Sequence, residues 1–400
     1  MKMQRYVFFL YFCKLKKRNV MIIGFEAKRA FKNNTGLGNY SRMLICGLAH
    51  EHQEVRSVLY SPDMTGEYSN YFTSYANIST RQPSGFDRHF PNLWRSYGLA
   101  MHLKTDNVDI FHGLSHELPH GIPHSIKRVV TIHDLIVWRY PHYYKLFDRI
   151  AHRIKQRHSC QSADAIVAIS KSTKRDIIKY LHVPASKIHV IYQSCDPIFW
   201  QPISEGDKAR VRKDYKLPEK YIICVGTVEE RKNQISVVKA LAQLPSDIHL
   251  VIVGRHRGRY FSDIMNEAKG LKLESRIHAI TNADFEDFPA LYACAIASAY
   301  MSHYEGFGIP VLESMCCDTP VVTSNISSMP EAGGDAALYC PPDRPSIIAM
   351  NLKSIIEDPK LREQLVEKGR IQREKFSQKN VIAELYKLYN TLVPQEDDDF

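Results

Sequence analysis

Four hundred residues exceed one ordinary domain and point to two or three. A composition of 44% hydrophobic and 24% charged residues excludes a disordered or fibrous chain, and no apolar run approaches the ~18 residues a spanning helix needs. Nine cysteines without a C-x-x-C pair argue against a disulfide framework or zinc ribbon and read as free thiols of a reducing compartment.

The net charge of +10 is unevenly placed. Residues 1–200 carry 28 Lys and Arg against 14 Asp and Glu, whereas residues 201–400 carry 25 against 29. Two domains with different partners follow, the basic one suited to an anionic membrane or a phosphorylated substrate. No zinc finger, RNA-recognition signature or basic-region heptad is present, so no nucleic-acid partner is expected.

Residues 1–20 hold six basic residues, no acids and an eight-residue apolar run, Tyr6 to Cys13. KLKKRN follows where a signal peptide needs small residues, so the segment reads as an extension with Met21 as the native start, or as a basic aromatic arm touching a membrane. From Met21 short apolar runs alternate with helical patterns. Strands are expected at 22–27, 55–60, 108–112, 128–132, 165–169 and 189–192. Helices are expected at 40–50, 143–159 and 173–181, the last capped by Ser170. Around 193–219 the pattern weakens and three prolines mark an inter-domain connection. Alternation resumes with strands at 221–225, 249–253, 296–301 and 320–323. Helices follow at 234–244, 345–357, 361–376 and 381–392. The expected fold class is α/β: two Rossmann-like, doubly wound parallel-sheet domains facing across a cleft. The divisions are 1–20, 21–200, 201–376 and 377–400.

Four segments carry candidate chemistry. In EGFGIPVLES, Glu305 and Glu313 are eight residues apart, and Gly306 and Gly308 let backbone approach a ligand. Pro310 suits a first helical position, Glu313 a first turn, and the amides of Phe307, Gly308 and Ile309 are left to bind a polar or anionic group. In VGTVEERKN a strand ends at Gly226, and Arg231 and Lys232 precede a helix, as a diphosphate site would use them; a solvated pair partnered by Glu229 and Glu230 is the plainer reading. TGLGNY places Gly36 and Gly38 in a loop after the first strand, for a ligand or simply for a turn. His133 ends TIH as a general base, a donor to a sugar hydroxyl, or a buried histidine. His112, His116, His120 and His124 recur every four residues, but Gly and Pro among them break any helix, so no metal site is expected. The only other spaced acidic pair of note is Asp397–Asp399 in the tail. Charge neutralisation therefore falls to Arg231 and Lys232, without a metal.

With these residues in hand, the chain resembles the retaining glycosyltransferases of family 4, also called group 1, from Met21 onward. The Glu305-x7-Glu313 spacing is the most specific feature; GTVEERKN, the opening IIGFEAKRAFKNNTGLGNYSR, TIHDL and AIVAISKSTKRDI add to it. The resemblance implies a GT-B fold and a hexosyltransferase that retains anomeric configuration through same-face attack. The nucleoside-diphosphate sugar is a substrate, and no cofactor is needed. Arg231 and Lys232 would hold the diphosphate and Glu313 the ribose. Glu305 and the amides of Phe307 and Gly308 would hold the sugar, Gly36 and Gly38 would approach the diphosphate, and His133 would sit beside the reacting carbon. GDP-mannose is slightly preferred over UDP-hexose or UDP-N-acetylhexosamine. The acceptor is expected to be a lipid-linked or oligosaccharide hydroxyl in bacterial surface glycan synthesis. The expected location is the cytoplasm, peripheral on the inner face of the membrane. A sugar-nucleotide epimerase and a non-catalytic sugar-nucleotide binder are the rival classes. The final helix is expected to return to the first domain.

Overall fold

The strands IIGFE, AIVA and YIICV are apolar on both faces, a pattern that suits only a parallel sheet covered on both sides. The computed structural model describes residues 20–256 and 258–393. Residues 1–19 of the basic extension and the acidic tail with Asp397–Asp399 lie outside them.

One sheet contains β1 (Ile22–Glu26), β2 (Arg56–Tyr60), β3 (Ile78–Arg81), β4 (Ile110–Gly113), β5 (Lys127–Ile132), β6 (Ala165–Ala168) and β7 (Ile188–Val190). The second contains β8 (Tyr221–Val225), β9 (His249–Val253), β10 (Ile277–Ile280), β11 (Ala297–Tyr300), β12 (Val321–Ser324) and β13 (Ala337–Cys340). The orders are β3-β2-β1-β4-β5-β6-β7 and β10-β9-β8-β11-β12-β13, with parallel pairing throughout. Each sheet reverses its winding once, between β1 and β4 and between β8 and β11, where α/β sheets open a crevice for ligands.

Three strands escaped the sequence reading, β3, β10 and β13, and all three are sheet edges. Edge strands such as ISTR and IHAI are partly exposed and lack the continuous apolar run that marks an interior strand. The connection at 193–219 also differs from expectation, because it holds a helix, Glu205–Asp214, capped by Ser204. Its only buried residue is Val211, so no amphipathic stripe announced it.

The helices that matter for the site are α1 (Gly36–Glu51), α2 (Leu146–Ser162), α3 (Lys171–Leu181), α4 (Gln234–Leu241), α5 (Ile309–Cys316) and α6 (Gln378–Leu392). Ser170 caps α3, its hydroxyl accepting from the Thr173 amide. The last helix, α6, buries Val381, Ile382, Leu385 and Tyr389 in one core with β1 and α1. A Cβ at Gly47 would lie 2.8 Å from Ile382 Cγ1, so that glycine sets how closely α6 approaches α1. Among the described residues no helix is long and apolar enough to cross a membrane, and all eight cysteines are free and buried.

Candidate active site

The second sheet's reversal point collects the charged residues. The chain leaves β8 through Gly226 at φ +125, where a Cβ would lie 2.8 Å from Lys232 Nζ, so the missing side chain is room for the lysine. A single 3-10 turn, Glu230–Lys232, and left-handed Asn233 then turn the chain into α4. Arg231 Nη1 lies 2.6 Å from Glu305 Oε1, and Nη2 lies 2.5 Å from Glu229 Oε1. Lys232 Nζ is 3.0 Å from the Tyr300 hydroxyl and 3.8 Å from Glu305. Glu305 also accepts from the Tyr300 hydroxyl at 2.7 Å and the Ser302 hydroxyl at 3.0 Å. Burial alone would raise the Glu305 carboxyl, but the Arg231 and Lys232 charges and these hydrogen bonds outweigh it and hold it at about 2. Burial lowers the Arg231 guanidinium, yet Glu305 and Glu229 raise it further still, so it stays ionised.

Glu313 differs from the sequence expectation. Helix α5 starts at Ile309 with Gly308 (φ +122) before it, Pro310 is its second residue, and Glu313 its fifth, one turn inside. The spacing counted residues correctly but placed the helix start one residue late. Burial drives the Glu313 carboxyl up to about 7, against a 3.0 Å hydrogen bond from the Tyr292 hydroxyl and the charge of Lys232. The Phe307 side chain is core, packed between Tyr192 and Phe376. The amides of Phe307, Gly308 and Ile309 have no protein acceptor among the described residues.

The first domain supplies neutral groups. His133 follows β5 and is buried; its Nε2 donates to the Leu114 carbonyl at 2.9 Å, leaving Nδ1 as the acceptor nitrogen. Burial lowers its pKa to about 3, helped by the neighbouring His116. Tyr40 of α1 meets the His133 ring edge-on at 4.7 Å. The expected glycine loop is instead the first turn of α1, because Thr35 already takes the capping position. Gly36 faces open space, whereas a Cβ at Gly38 would fall 1.7 Å from the Asn33 carbonyl, so Gly38 serves local packing. Of the spaced histidines, His112 sits in β4, bonded to Tyr389 and Thr131, and His116 is left-handed at φ 66. They share no helix, and no three His, Cys, Asp or Glu side chains among the described residues converge as a metal site would.

Several residues join the domains across the cleft. A Cβ at Gly306 would lie 1.8 Å from the His133 carbonyl, so bare backbone meets backbone there. The Thr173 hydroxyl lies 3.3 Å from the His133 carbonyl and 3.2 Å from that of Gly306. The Tyr304 hydroxyl donates to Asp176 at 2.7 Å and accepts from the Leu135 amide at 3.3 Å. Glu331 accepts from the Lys171 and Ser172 amides at 2.6 and 2.7 Å, capping α3 of the other domain. Asp134 is close enough to feel the charges of Arg231 and Glu305, and burial raises its carboxyl. Sequence reading missed Tyr300, Ser302, Tyr304, Asp176 and Glu331 as site residues. Position at strand ends was the one available signal for Tyr300 and Ser302. Beside this cluster a cavity of about 850 Å³ opens between the domains, walled by Tyr143, Tyr144 and Lys145 on one side and by Glu229, Arg231 and Tyr260 on the other. That volume suits a small-molecule ligand.

Known proteins share this layout. Residues 34–198 match the family described as Glycosyltransferase Family 4, and residues 207–372 match Glycosyl transferases group 1. The O-antigen chain mannosyltransferase B of Escherichia coli is 30% identical over 379 residues, covering 90% of this chain and 96% of that protein. The O-antigen chain mannosyltransferase RfbU of Salmonella typhimurium is 27% identical, covering 83% and 90%. Among solved structures, Anabaena HepE in complex with UDP-glucose superposes with a TM-score of 0.73 at 17% identity, over 93% of this chain and all of the other. A glycosyltransferase from Rickettsia africae gives 0.73 at 16%, over 95% and 100%. The two sheets facing across a cleft are thus the GT-B fold, and the chain belongs to the group 1 glycosyltransferases.

Proposed function

We propose that this enzyme transfers a hexosyl group, with retention and without a metal, from a nucleoside-diphosphate sugar to a hydroxyl of a lipid-linked or polysaccharide acceptor in bacterial surface glycan synthesis. The observation that carries the reading is the Arg231–Lys232–Glu305 cluster set beside the uncommitted amides that open α5. Arg231 lines the cavity already desolvated and oriented by two carboxylates, so a diphosphate meets a prepared cation there. Lys232, with Gly226 beneath it, supplies the second charge, and Glu313 takes the ribose hydroxyls. Glu305 and the amides of Phe307, Gly308 and Ile309 hold the sugar. Gly36 offers open backbone from the first domain, and neutral His133 orients the donor rather than attacking it. The acceptor hydroxyl attacks on the face that the diphosphate leaves, and a departing phosphate oxygen takes its proton.

GDP-mannose is the preferred donor, because two relatives that match over most of this chain are named mannosyltransferases. A UDP-hexose is the second choice, since the superposing Anabaena protein was solved with UDP-glucose. The enzyme works at the inner face of the cell membrane and needs no cofactor. A thermal-shift series with GDP, UDP and ADP selects the base. Donor turnover with product NMR then reads the anomeric configuration, and a chelator arm reads metal dependence. Absence of any shift and of any nucleoside-diphosphate release would sink the reading.

A further inference from the structure

Sixteen large apolar side chains are exposed among the described residues, and nine of them fall on two segments of the first domain. On α2 these are Leu146, Phe147, Ile150 and Ile154, with Phe147 84% and Ile154 64% exposed. Positions 147, 150 and 154 recur at helical spacing, so they form one stripe along an uncovered face. The second group comprises Phe86 in a 3-10 turn, Phe90 at the break that follows it, and Leu93, Tyr97 and Met101, spaced by four residues along the helical segments 91–105.

The two groups meet. Tyr97 stacks on His120 at 4.8 Å, and His120 stacks on His158 at 3.8 Å, one turn beyond Ile154 on α2. Glu117 ties the same segments from beneath, binding Arg95 at 2.5 Å and Lys155 at 3.0 Å. The α2 segment is also rich in cations. Lys145, Arg149, Arg153, Lys155 and Arg157 stand against a single acid, Asp148. Arg153 and Arg157 lie over the Trp138 ring at 4.9 and 5.3 Å. Lys145 and Asp148, at the start of this helix, also line the cleft cavity.

We propose that this joined apolar surface is where the enzyme seats on an anionic lipid bilayer, Phe147 and Ile154 entering the acyl boundary and the flanking Arg and Lys meeting acidic headgroups. Nine exposed large apolar side chains on two adjoining segments call for a partner, and the excess of cations along α2, with Lys155 alone of them paired to Glu117, matches an anionic bilayer. The inference deepens the proposed function by placing the mouth of the cleft against the surface that carries a lipid-linked acceptor. Binding to lipid needs neither donor nor acceptor, so it is read separately from transfer.

The test is co-sedimentation of the full chain with vesicles of phosphatidylcholine alone or mixed with phosphatidylglycerol, for the wild type, the double variant Phe147→Ser/Ile154→Ser and the double variant Arg149→Gln/Arg157→Gln. The wild type is expected to bind the mixed vesicles and to release as salt rises. Removing the two apolar chains is expected to lower partitioning by on the order of a hundredfold, since each buried apolar side chain is worth roughly tenfold or more. Removing the two cations is expected to lower it by roughly tenfold or more, on about 1 kcal/mol per charge. Melting temperatures are expected to stay within a degree or two, roughly, because exposed positions contribute little to the fold. Equal partitioning of the apolar variant and wild type, or wild-type binding to neither vesicle, overturns the proposal. So does sedimentation velocity showing a wild-type dimer that Phe147→Ser/Ile154→Ser converts to monomer, which would assign the surface to a second copy of this chain.

Discussion

The two halves of the cleft differ in the polar groups at their centres. The second domain brings fixed charge: Arg231 and Lys232 lie within 4 Å of Glu305 and keep its carboxyl ionised. The first brings neutral groups in a buried hydrogen-bonded network: His133 on the Leu114 carbonyl, His112 between Thr131 and Tyr389, Tyr40 against both His133 and Thr131. The charged cluster suits a diphosphate that gains charge as it leaves, and the neutral network around His133, beside the carboxyls of Asp134 and Asp176, suits hydroxyls that need orientation. Each wall is stabilised by what it would lose alone. Burial of Glu305 without Arg231 would push its carboxyl up, as it does for Glu313, which has no salt-bridged cation among the described residues.

The charged wall is the place where a single change should hurt most. Lys232→Ala is expected to lower kcat/KM by about a hundredfold or more, since a charge-assisted contact that strengthens in the transition state is lost. Wild-type turnover in that variant would remove the lysine from the chemistry. Joining the walls should matter nearly as much. Gly306→Ala puts a Cβ on the His133 carbonyl and forces the domains apart, so kcat is expected to fall roughly ten- to a hundredfold. Small-angle scattering should show a larger radius of gyration in parallel; an unchanged rate and shape would mean that closure does not run through this contact.

Tyr304→Phe tests the same seam more gently. It deletes the bonds to Asp176 and Leu135 and keeps the ring, so a fall in kcat of about tenfold is expected, with donor affinity nearly unchanged. An equal rise in donor KM would instead make Tyr304 part of the donor site. The mildest probe is pH. On the proposed ribose contact, the Glu313 carboxyl, raised to about 7, accepts more strongly from hydroxyls when ionised, so donor kcat/KM is expected to rise with pH through about 7. Glu313→Gln is expected to abolish that limb. The sign for stability is opposite: the folded state holds this proton more tightly than a group at 4.5, so the contribution of Glu313 to stability falls as pH rises from about 4.5 through 7. His133, lowered to about 3, contributes no inflection near neutrality.

Local features survived the passage from sequence to structure where short-range physics decides them. Interior strands announce themselves as continuous apolar runs, Ser170 caps the helix that follows it, and the Glu305-to-Glu313 spacing sets two carboxylates on either side of a helix start. Edge strands β3 and β10, partly exposed to water, carry no such run, and TGLGNY reads as loop because two glycines disfavour a helix that Thr35 and tertiary packing nevertheless begin.

Residue order therefore determined the alternation of strands and helices, and with it the two parallel sheets, because burial on both faces is written into every interior strand. It also placed Arg231, Lys232, Glu305 and His133 just beyond strand ends. Only the tertiary structure decided their partners. Glu305 chose Arg231, 74 positions away, Tyr304 reached Asp176 across the cleft, and Glu331 capped a helix of the other domain. Such pairings depend on which loops two sheets bring face to face, and no local pattern encodes that distance.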